Sequence, residues 1–223
     1  MLPSLITWGG QYIESVAPSG SFAKGTAIRG STDIDFFVSL SQSTPNTLKE
    51  VYETLFNRFK SDGFVPRKQN VSIGVNVGGY SVDVVPAKRQ NNLTSDHSLF
   101  KNRAGTWTKT NVGTHIRNVT NSGRQEEIIV MKVWAKQNAV FTPSFLLELL
   151  TMEACENRPI GSLSRNVSAC FDYVRDNVVS IRCLDPSNSE NVVSDDLTVD
   201  QKKHLAKLAG VARNKQFWVD VVK

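Results

Sequence analysis

One segment of this 223-residue chain alternates with a strict period of two, a pattern that a β-strand within a sheet satisfies. From Asp33 to Leu40, the apolar side of this strand is formed by Ile34, Phe36, Val38 and Leu40. The opposite side begins with Asp33 and Asp35, whose Cα atoms lie roughly 6.6 Å apart at ~3.3 Å rise per residue. The segment therefore predicts a strand that buries its apolar side and presents two neighbouring carboxylates.

A second alternating run surrounds Gly78-Gly79 and predicts a β-hairpin closed by this two-residue turn. The turn places the apolar residues of both strands on one side, in the pairs Val77–Tyr80, Val75–Val82 and Ile73–Val84. Asp83 then points to the other side, next to Gly74, whose missing side chain leaves room there. An aspartate among strand formers opposes β propensity, and function is expected where a local preference is violated. Asp83 is thus the predicted third carboxylate.

Each of these motifs is weak alone, because a lone Asp-x-Asp is usually a solvated strand edge and a glycine-rich loop is usually a turn. The stretch Gly20–Gly25 has the spacing of a P-loop, but Thr26 stands where that motif needs Lys, and no helix is predicted next. The combination is more specific: Gly-Ser, then Asp-x-Asp thirteen and fifteen residues after Gly20, then an aspartate on a later strand. The Asp-x-Asp spacing lets both carboxylates reach metal ions ~3.5 to 4 Å apart, as two-metal phosphoryl transfer requires.

The two halves of the chain differ in periodicity, which predicts two domains. The first half adds one amphipathic helix, predicted from Thr44-Pro45 to about Gly63. Helical periodicity dominates the second half, with helices predicted over 124–138, after Thr142-Pro143, and after a Thr198–Gln201 capping box. The polar stretch 118–123 has no apolar period and is the predicted junction. The fold class is therefore α+β: a twisted mixed sheet with flanking helices in residues 1–117, followed by a small helical domain in residues 118–223.

Composition restricts the environment and the partners. Lys and Arg number 26 against 21 Asp and Glu, which gives a net charge of +5 and fits a polyphosphate or nucleic-acid partner. No window approaches the roughly 18 uncharged apolar residues of a membrane helix, and the N-terminus lacks the pattern of a signal peptide. The sequence predicts a cytoplasmic protein with no membrane contact.

With these motifs, the chain resembles the DNA polymerase β-type nucleotidyltransferase superfamily, whose pattern is Gly-Ser, Asp-x-Asp and a third acidic residue on a separate strand. Within it, the sequence is most similar to the branch of archaeal-type tRNA CCA-adding enzymes, 2′-5′-oligoadenylate synthases and bacterial cyclic-oligonucleotide synthases. The further similar segments are Val82–Ala87, Thr114–Arg117, Ile129–Lys132, Ser144–Leu150, Asp185-Pro186 and Asn191-Val192. One departure is Phe145, which stands where CCA-adding enzymes often carry Tyr. The resemblance implies that the first domain is a nucleotidyltransferase palm.

The resemblance also implies catalytic and metal-binding roles. Asp33, Asp35 and Asp83 would be the catalytic residues and would hold two Mg²⁺ ions, with Mn²⁺ as an alternative. Asp83 would also help to deprotonate the attacking hydroxyl. Magnesium suits such a site because carboxylate and phosphate oxygens are the ligands it prefers.

The nucleotide-binding residues implied by the resemblance are Gly20, Ser21, Lys132, His115 and Phe145. The backbone at Gly20 and Ser21 would contact the β- and γ-phosphates, since glycine permits a close approach. Lys132 would neutralise triphosphate charge as a point cation. For His115, triphosphate contact and an ordinary core or surface position both stay open. Lys136, one turn after Lys132, is interpreted as a solvated surface charge.

The predicted function is template-independent, Mg²⁺-dependent transfer of nucleotides from an NTP, ATP and/or CTP, to the 3′ hydroxyl of an RNA, with release of pyrophosphate, as in tRNA processing by CCA addition. The alternative is synthesis of cyclic or linear oligonucleotide second messengers in a bacterial defence system. A third hypothesis is a catalytically inactive module that binds RNA or nucleotides. Three clustered carboxylates argue against such a module, because without metal they repel phosphate.

Overall fold

The structure is a computed structural model that describes residues 1–30 and 33–222. The chain divides into two compact units: unit 1 is Met1–Ala23 with Thr32–Ile116, and unit 2 is Lys24–Ser31 with Arg117–Lys223. The short segment that follows Ala23 is thus grouped with the helical half, although it precedes the first predicted aspartate in sequence. The division into domains of residues 1–117 and 118–223 stays a prediction.

Unit 1 is built on a mixed seven-stranded sheet. Its strands are β1 (Ile13–Pro18), β2 (Ile34–Leu40), β3 (Arg67–Lys68), β4 (Ile73–Val77), β5 (Tyr80–Arg89), β6 (His97–Lys101) and β7 (Thr106–Thr110). The order across the sheet is β1-β2-β5-β4-β3, with β6 joined to β5 and β7 joined to β6. The β2–β5 pair is parallel, and the other pairs are antiparallel.

The helices of unit 1 are α1 (Leu2–Gly9), the short α2 (Gly20–Ala23), α3 (Leu48–Ser61) and the start of α4 (Val112–Ser122). The apolar side of the sheet packs on α3, and the fully buried members of this core include Val38, Leu55, Phe59, Ile73, Val75 and Val84. The apolar side predicted for the strand 33–40 therefore faces this core. A smaller apolar cluster of Phe37, Ala87 and Leu99 covers part of the other side of the sheet.

Helix α3 begins three residues later than the first position predicted for it. Thr44 does not cap the helix, because its backbone N–H and its hydroxyl both donate to the carbonyl oxygen of Ser41, at 3.1 and 2.7 Å, and close a turn. The N-cap is Thr47, which forms a reciprocal capping box with Glu50. A capping box satisfies two helix donors at once, so it marks the helix start more strongly than the proline does.

Unit 2 is mainly helical. After α4 its elements are α5 (Gln125–Gln137), α6 (Ser144–Ala154), α7 (Leu163–Asn177), β8 (Leu184–Asp185), β9 (Asn188–Val192) and α8 (Val199–Arg213). Its core contains Trp134 and Phe171, whose rings meet edge to face with centroids 5.0 Å apart. The predicted helix over 124–138 and the Thr198–Gln201 capping box are confirmed.

Residues 118–122 of the polar stretch 118–123 are the last part of α4, and the domain junction placed in that stretch stays a prediction. Val119 is the one apolar residue among residues 118–122, which is why no apolar period shows in that stretch, and it is also the one buried side chain of α4 among the described residues. The α+β class itself, a mixed sheet with flanking helices followed by a helical part, is confirmed. Across residues 1–30 and 33–222, no helix combines the length and the apolar character needed to cross a bilayer.

Candidate active site

Two of the three predicted carboxylates lie side by side on adjacent strands. The parallel register of β2 and β5 pairs Asp35 with Asp83. Residues paired in this way project to the same side of a sheet. Asp33 is exposed and directly precedes β2, two residues before Asp35, so the strand period gives it the same side. The sheet therefore gathers the three predicted residues at one end of one side.

The predicted hairpin register is confirmed, and it explains how Asp83 is accommodated. All three apolar pairs form as predicted, and Gly74 pairs with Asp83. A Cβ atom at Gly74 would lie 3.1 Å from Asp83 Oδ1 and 3.0 Å from Gln69 Nε2. These distances are shorter than ordinary van der Waals contacts, so a side chain at position 74 would press on the aspartate. Gly74 leaves the space that the carboxylate occupies.

Asp83 is held by side chains from the turn between β3 and β4. Gln69 Nε2 donates to Asp83 Oδ1 at 2.8 Å, and Ser72 Oγ donates to Oδ2 at 3.5 Å. The backbone of that turn is fixed in its own right, because the Tyr52 hydroxyl of α3 lies 2.8 Å from the carbonyl oxygen of Gln69 and 3.0 Å from that of Ser72. The carboxylate of Asp83 is thus oriented by a chain of contacts that begins in the core helix.

The charge state of Asp83 reflects its neighbours. The residue is 8% exposed, and burial followed by the negative charge of Asp33 raises the pKa of its carboxyl. The hydrogen bonds from Gln69 and Ser72 and the positive charge of Arg67 act in the opposite direction but do not outweigh burial. A carboxylate in this setting favours a cation beside it, because a cation compensates both the burial and the like charge.

The donor set has the ligand chemistry of a magnesium site, since all three residues offer carboxylate oxygens. Within the part of the chain that the structure describes, no group of three or more His, Cys, Asp or Glu side chains is already assembled as a metal site. Binding of metal ions by Asp33, Asp35 and Asp83 together therefore stays a prediction, supported by the shared side of the sheet and the raised pKa of Asp83.

Gly20 lies directly against the second aspartate. It begins α2 with φ +56°, a left-handed conformation that favours glycine. An ideal Cβ atom at this position would lie 1.8 Å from Asp35 Oδ2 and 2.5 Å from its Cγ. The backbone N–H of Ser19 also donates to the carbonyl oxygen of Asp35 at 2.8 Å. The turn that carries Gly20 and the half-buried Ser21 is therefore fixed to the strand of the aspartates.

Lys132 lies in a buried ionic cluster of unit 2 that the sequence did not predict. Its Nζ donates to Glu148 Oε1 at 2.6 Å and to Thr26 Oγ1 at 3.0 Å. Lys24 Nζ donates to the other carboxylate oxygen, Glu148 Oε2, at 2.7 Å. Burial raises the pKa of the Glu148 carboxyl, but the charges and hydrogen bonds of Lys24 and Lys132 outweigh it and leave that pKa below its ordinary value. One carboxylate thus joins α5, α6 and the segment after α2.

Phe145 lies beside this cluster. The Nζ atom of Lys24 is 4.8 Å from the centroid of the Phe145 ring, within the range of a cation–π contact. Lys136 is exposed and donates to the carbonyl oxygens of Gly30 at 2.7 Å and of Arg29 at 3.2 Å. Lys136 is therefore a surface lysine, as interpreted from the sequence, and it also holds the end of the segment that contains Lys24.

His115 lies in the first half of α4, half-buried, within the same unit as the three aspartates. Its contact with a triphosphate stays a prediction, as do the nucleotide contacts of Gly20, Ser21, Lys132 and Phe145.

Sequence reasoning missed Gln69, Ser72, Lys24, Thr26 and Glu148. A signal existed for Glu148, because a charged residue inside the apolar run of residues 146–150 needs a buried partner. No comparable signal marks Gln69 or Ser72, which are ordinary turn residues in the sequence.

A mixed sheet that brings an Asp-x-Asp strand into parallel register with a third aspartate, beside a Gly-Ser turn, is the arrangement expected for a nucleotidyltransferase domain. Residues 9–122, more than half of the chain, match the family described as the Second Messenger Oligonucleotide or Dinucleotide Synthetase domain. The chain belongs to this family.

One curated relative is a cyclic-oligonucleotide synthase. The chain is 26% identical over 182 residues to the cyclic AMP-AMP-AMP synthase of Escherichia coli (strain MS 115-1). The aligned residues cover 73% of this chain and 57% of that protein. The chain therefore spans less than two thirds of the length of that curated relative.

Solved structures show the same fold. CdnC of E. coli MS115-1 with ATP has a TM-score of 0.78 at 22% identity, over 96% of this chain and 80% of that one. The CD-NTase CdnG of Bradyrhizobium diazoefficiens with GTP has a TM-score of 0.76 at 11% identity, over 96% and 82% of the two chains.

These findings decide between the predicted branches in part. They support the superfamily and its bacterial cyclic-oligonucleotide synthases, which were the alternative prediction. They give no support to the predicted closeness to CCA-adding enzymes, to RNA binding or to tRNA processing. The motifs that suggested CCA addition, around His115 and Lys132, lie on α4 and α5.

Proposed function

We propose that this chain joins nucleoside triphosphates, ATP among them, into a cyclic or linear oligonucleotide and releases one pyrophosphate for each bond formed. The observation that carries the proposal is the register of Asp35 with Asp83, with Asp33 two residues away, in a chain of this family. The curated relative's name supports an adenylate product. The acceptor hydroxyl then belongs to another nucleotide rather than to an RNA.

Asp83 would act on the attacking hydroxyl. Burial and the charge of Asp33 raise its pKa, which makes its carboxylate a better proton acceptor, and Gln69 fixes the orientation of that carboxylate. As the proton passes to Asp83, the hydroxyl oxygen forms a bond to the α-phosphorus. The bond from that phosphorus to the bridging oxygen of the β-phosphate breaks, and pyrophosphate leaves with the electron pair.

Asp33, Asp35 and Asp83 would hold the Mg²⁺ ions, which when bound supply positive charge to the phosphates and to the attacking oxygen. The chain's own residues do the rest of the positioning. Backbone amides of Gly20 and Ser21, together with the Ser21 hydroxyl, would contact the β- and γ-phosphates, where glycine allows the close approach. Lys132 would neutralise triphosphate charge as a point cation, His115 would contact the triphosphate, and Phe145 would lie against the nucleotide.

The experiment is to incubate the purified chain with labelled NTPs and Mg²⁺, with and without RNA, and to follow both pyrophosphate and the labelled products. We expect pyrophosphate and oligonucleotides that are soluble in acid, without any RNA. Cyclic and linear products are then separated by their resistance to phosphatase, since a cyclic product has no terminal phosphate.

Two other results would contradict the proposal. Pyrophosphate release that requires RNA, with the label at the RNA 3′ end, would return the function to RNA tailing. Nucleotide binding without any turnover, across all four NTPs and with Mg²⁺ or Mn²⁺, would instead favour the inactive binding module.

A further inference from the structure

The buried cluster of Lys24, Lys132 and Glu148 contains more positive than negative charge. The side chains are 9%, 6% and 2% exposed, and the two ammonium groups share one carboxylate. The three groups together therefore keep one positive charge that Glu148 does not neutralise. Positive charge held away from water favours an anion beside it, so this arrangement suits a negatively charged ligand.

The two lysines differ in the hydrogen-bond donors that they have left. Contacts to Glu148 Oε1, Thr26 Oγ1 and, at 3.4 Å, the carbonyl oxygen of Thr26 account for the three N–H groups of Lys132. Lys24 Nζ has one hydrogen-bond acceptor among the residues that the structure describes, Glu148 Oε2, and otherwise lies over the Phe145 ring. Lys24 therefore retains N–H groups that a ligand can use.

We infer that Lys24 is a further triphosphate-binding residue and that Glu148 is the positioning residue that holds it. The ligand class is a polyphosphate, which rests on the proposed function. Lys24 follows Ser21, a predicted phosphate contact, by three residues in the sequence. Glu148 orders the long lysine side chain before the ligand arrives, and Lys132 and Thr26 hold Glu148 on its other oxygen. Preordering in this way lowers the entropic cost of binding.

The test measures binding of inorganic tripolyphosphate by calorimetry, without divalent metal, and the KM and kcat for ATP with Mg²⁺. Lys24→Met removes the ammonium group and keeps the length of the side chain. We expect tripolyphosphate affinity to fall about tenfold, as for loss of one charged hydrogen bond, and KM to rise by a similar factor with kcat within about twofold. Lys24→Arg should restore most of the affinity, since it keeps the charge.

Lys136→Met is the matched control. It removes the same charge from the same unit and also loosens the segment after α2, but it leaves the cluster intact. We expect its tripolyphosphate affinity to stay within about twofold of the unchanged chain, which a general loss of positive charge would not allow. Equal losses in Lys24→Met and Lys136→Met would overturn the inference.

A double-mutant cycle tests Glu148. If Glu148 positions Lys24, the effect of Lys24→Met on tripolyphosphate affinity should shrink clearly in a Glu148→Gln background. An unchanged effect would remove Glu148 from this role. Should Glu148→Gln fail to fold, Glu148→Asp, which keeps the charge and shortens its reach, takes its place in the cycle.

The two proposals fail separately. Tripolyphosphate binding that depends on Lys24, in a chain without turnover, leaves the inference standing and removes the proposed synthesis. Normal synthesis, together with a tripolyphosphate affinity that does not change in Lys24→Met, would leave the proposed synthesis standing and remove the inference about Lys24.

Discussion

Gly20→Ala should remove activity far more than it removes stability. The position has φ +56°, so alanine would cost roughly 1–2 kcal/mol of backbone strain. The new Cβ atom would also start 1.8 Å from Asp35 Oδ2, and reaching even 3.0 Å requires the carboxylate to move by about 1.2 Å (3.0 − 1.8). A misplacement of about 1 Å in a reacting group can cost about 10²-fold in rate.

Gly78→Ala provides the matched control in the same unit. Gly78 has φ +59°, and no atom lies within 4 Å of the Cβ that alanine would add. It therefore carries the same backbone strain without any contact with an aspartate. Both variants should lose roughly 2–4 °C of Tm for each kcal/mol of strain.

The assay pairs thermal unfolding with the rate of pyrophosphate release from ATP and Mg²⁺. We expect Gly78→Ala to keep its rate within about threefold and Gly20→Ala to lose about 10²-fold, at similar Tm. Equal rates in the two variants would show that the position of Asp35 does not matter to the reaction, and the assignment of that residue would be wrong.

The remaining predictions concern charge and helix capping. Asp83→Asn should lower the rate of pyrophosphate release by at least about 10²-fold without loss of circular dichroism signal, and a rate near that of the unchanged chain would remove Asp83 from the catalytic residues. The pKa of Asp83 is raised, so its ionised form destabilises the fold. At pH 7, Asp83→Asn should therefore match or exceed the unchanged chain in unfolding free energy. This advantage should disappear as the pH falls below the raised pKa. Glu148→Gln should lose about 3–5 kcal/mol of unfolding free energy at pH 7. Because the pKa of Glu148 is lowered, this loss should be full above pH ~4.3 and should shrink as the pH falls through the lowered pKa. Urea unfolding at several pH values checks this, and a loss that does not depend on pH would contradict the ion pairing. Thr47→Ala should lose about 1 kcal/mol in the same assay, whereas Thr44→Ala should leave the helix start unchanged, which the amide protection of α3 would report.

The part of the candidate site that lies on the sheet could be predicted, because the period of two in a strand shows which residues share a side of the sheet. The alternation before and after Gly78-Gly79 fixed the hairpin register, and the register placed Asp83 opposite Gly74. The parallel pairing of Asp35 with Asp83 was not derivable in the same way, since a parallel partner is distant in sequence and no turn sets its register.

The contacts between the helices of unit 2 were harder to predict from the sequence, for a different reason. Helix periods in the second half marked the elements, but the partner of a buried charge is chosen by tertiary packing. The sequence could have indicated that Glu148 needs a buried partner. Its two partners, Lys24 and Lys132, lie 124 and 16 positions away in the sequence and could not be identified from it. The start of α3 shows a local competition instead, in which a proline suggested one cap and the side chain of Glu50 selected another.

The parallel pairing of β2 with β5 also means that side chains remote from any substrate set the spacing of the reacting groups. Val82 and Val84 occupy the core on the far side of the sheet, as Val38 does on the neighbouring strand. Sliding β5 by one residue would turn Asp83 to the wrong side, and sliding it by two would carry it roughly 6.6 Å along the strand. A change of shape in this core can therefore abolish the proposed activity in a chain that still folds cooperatively.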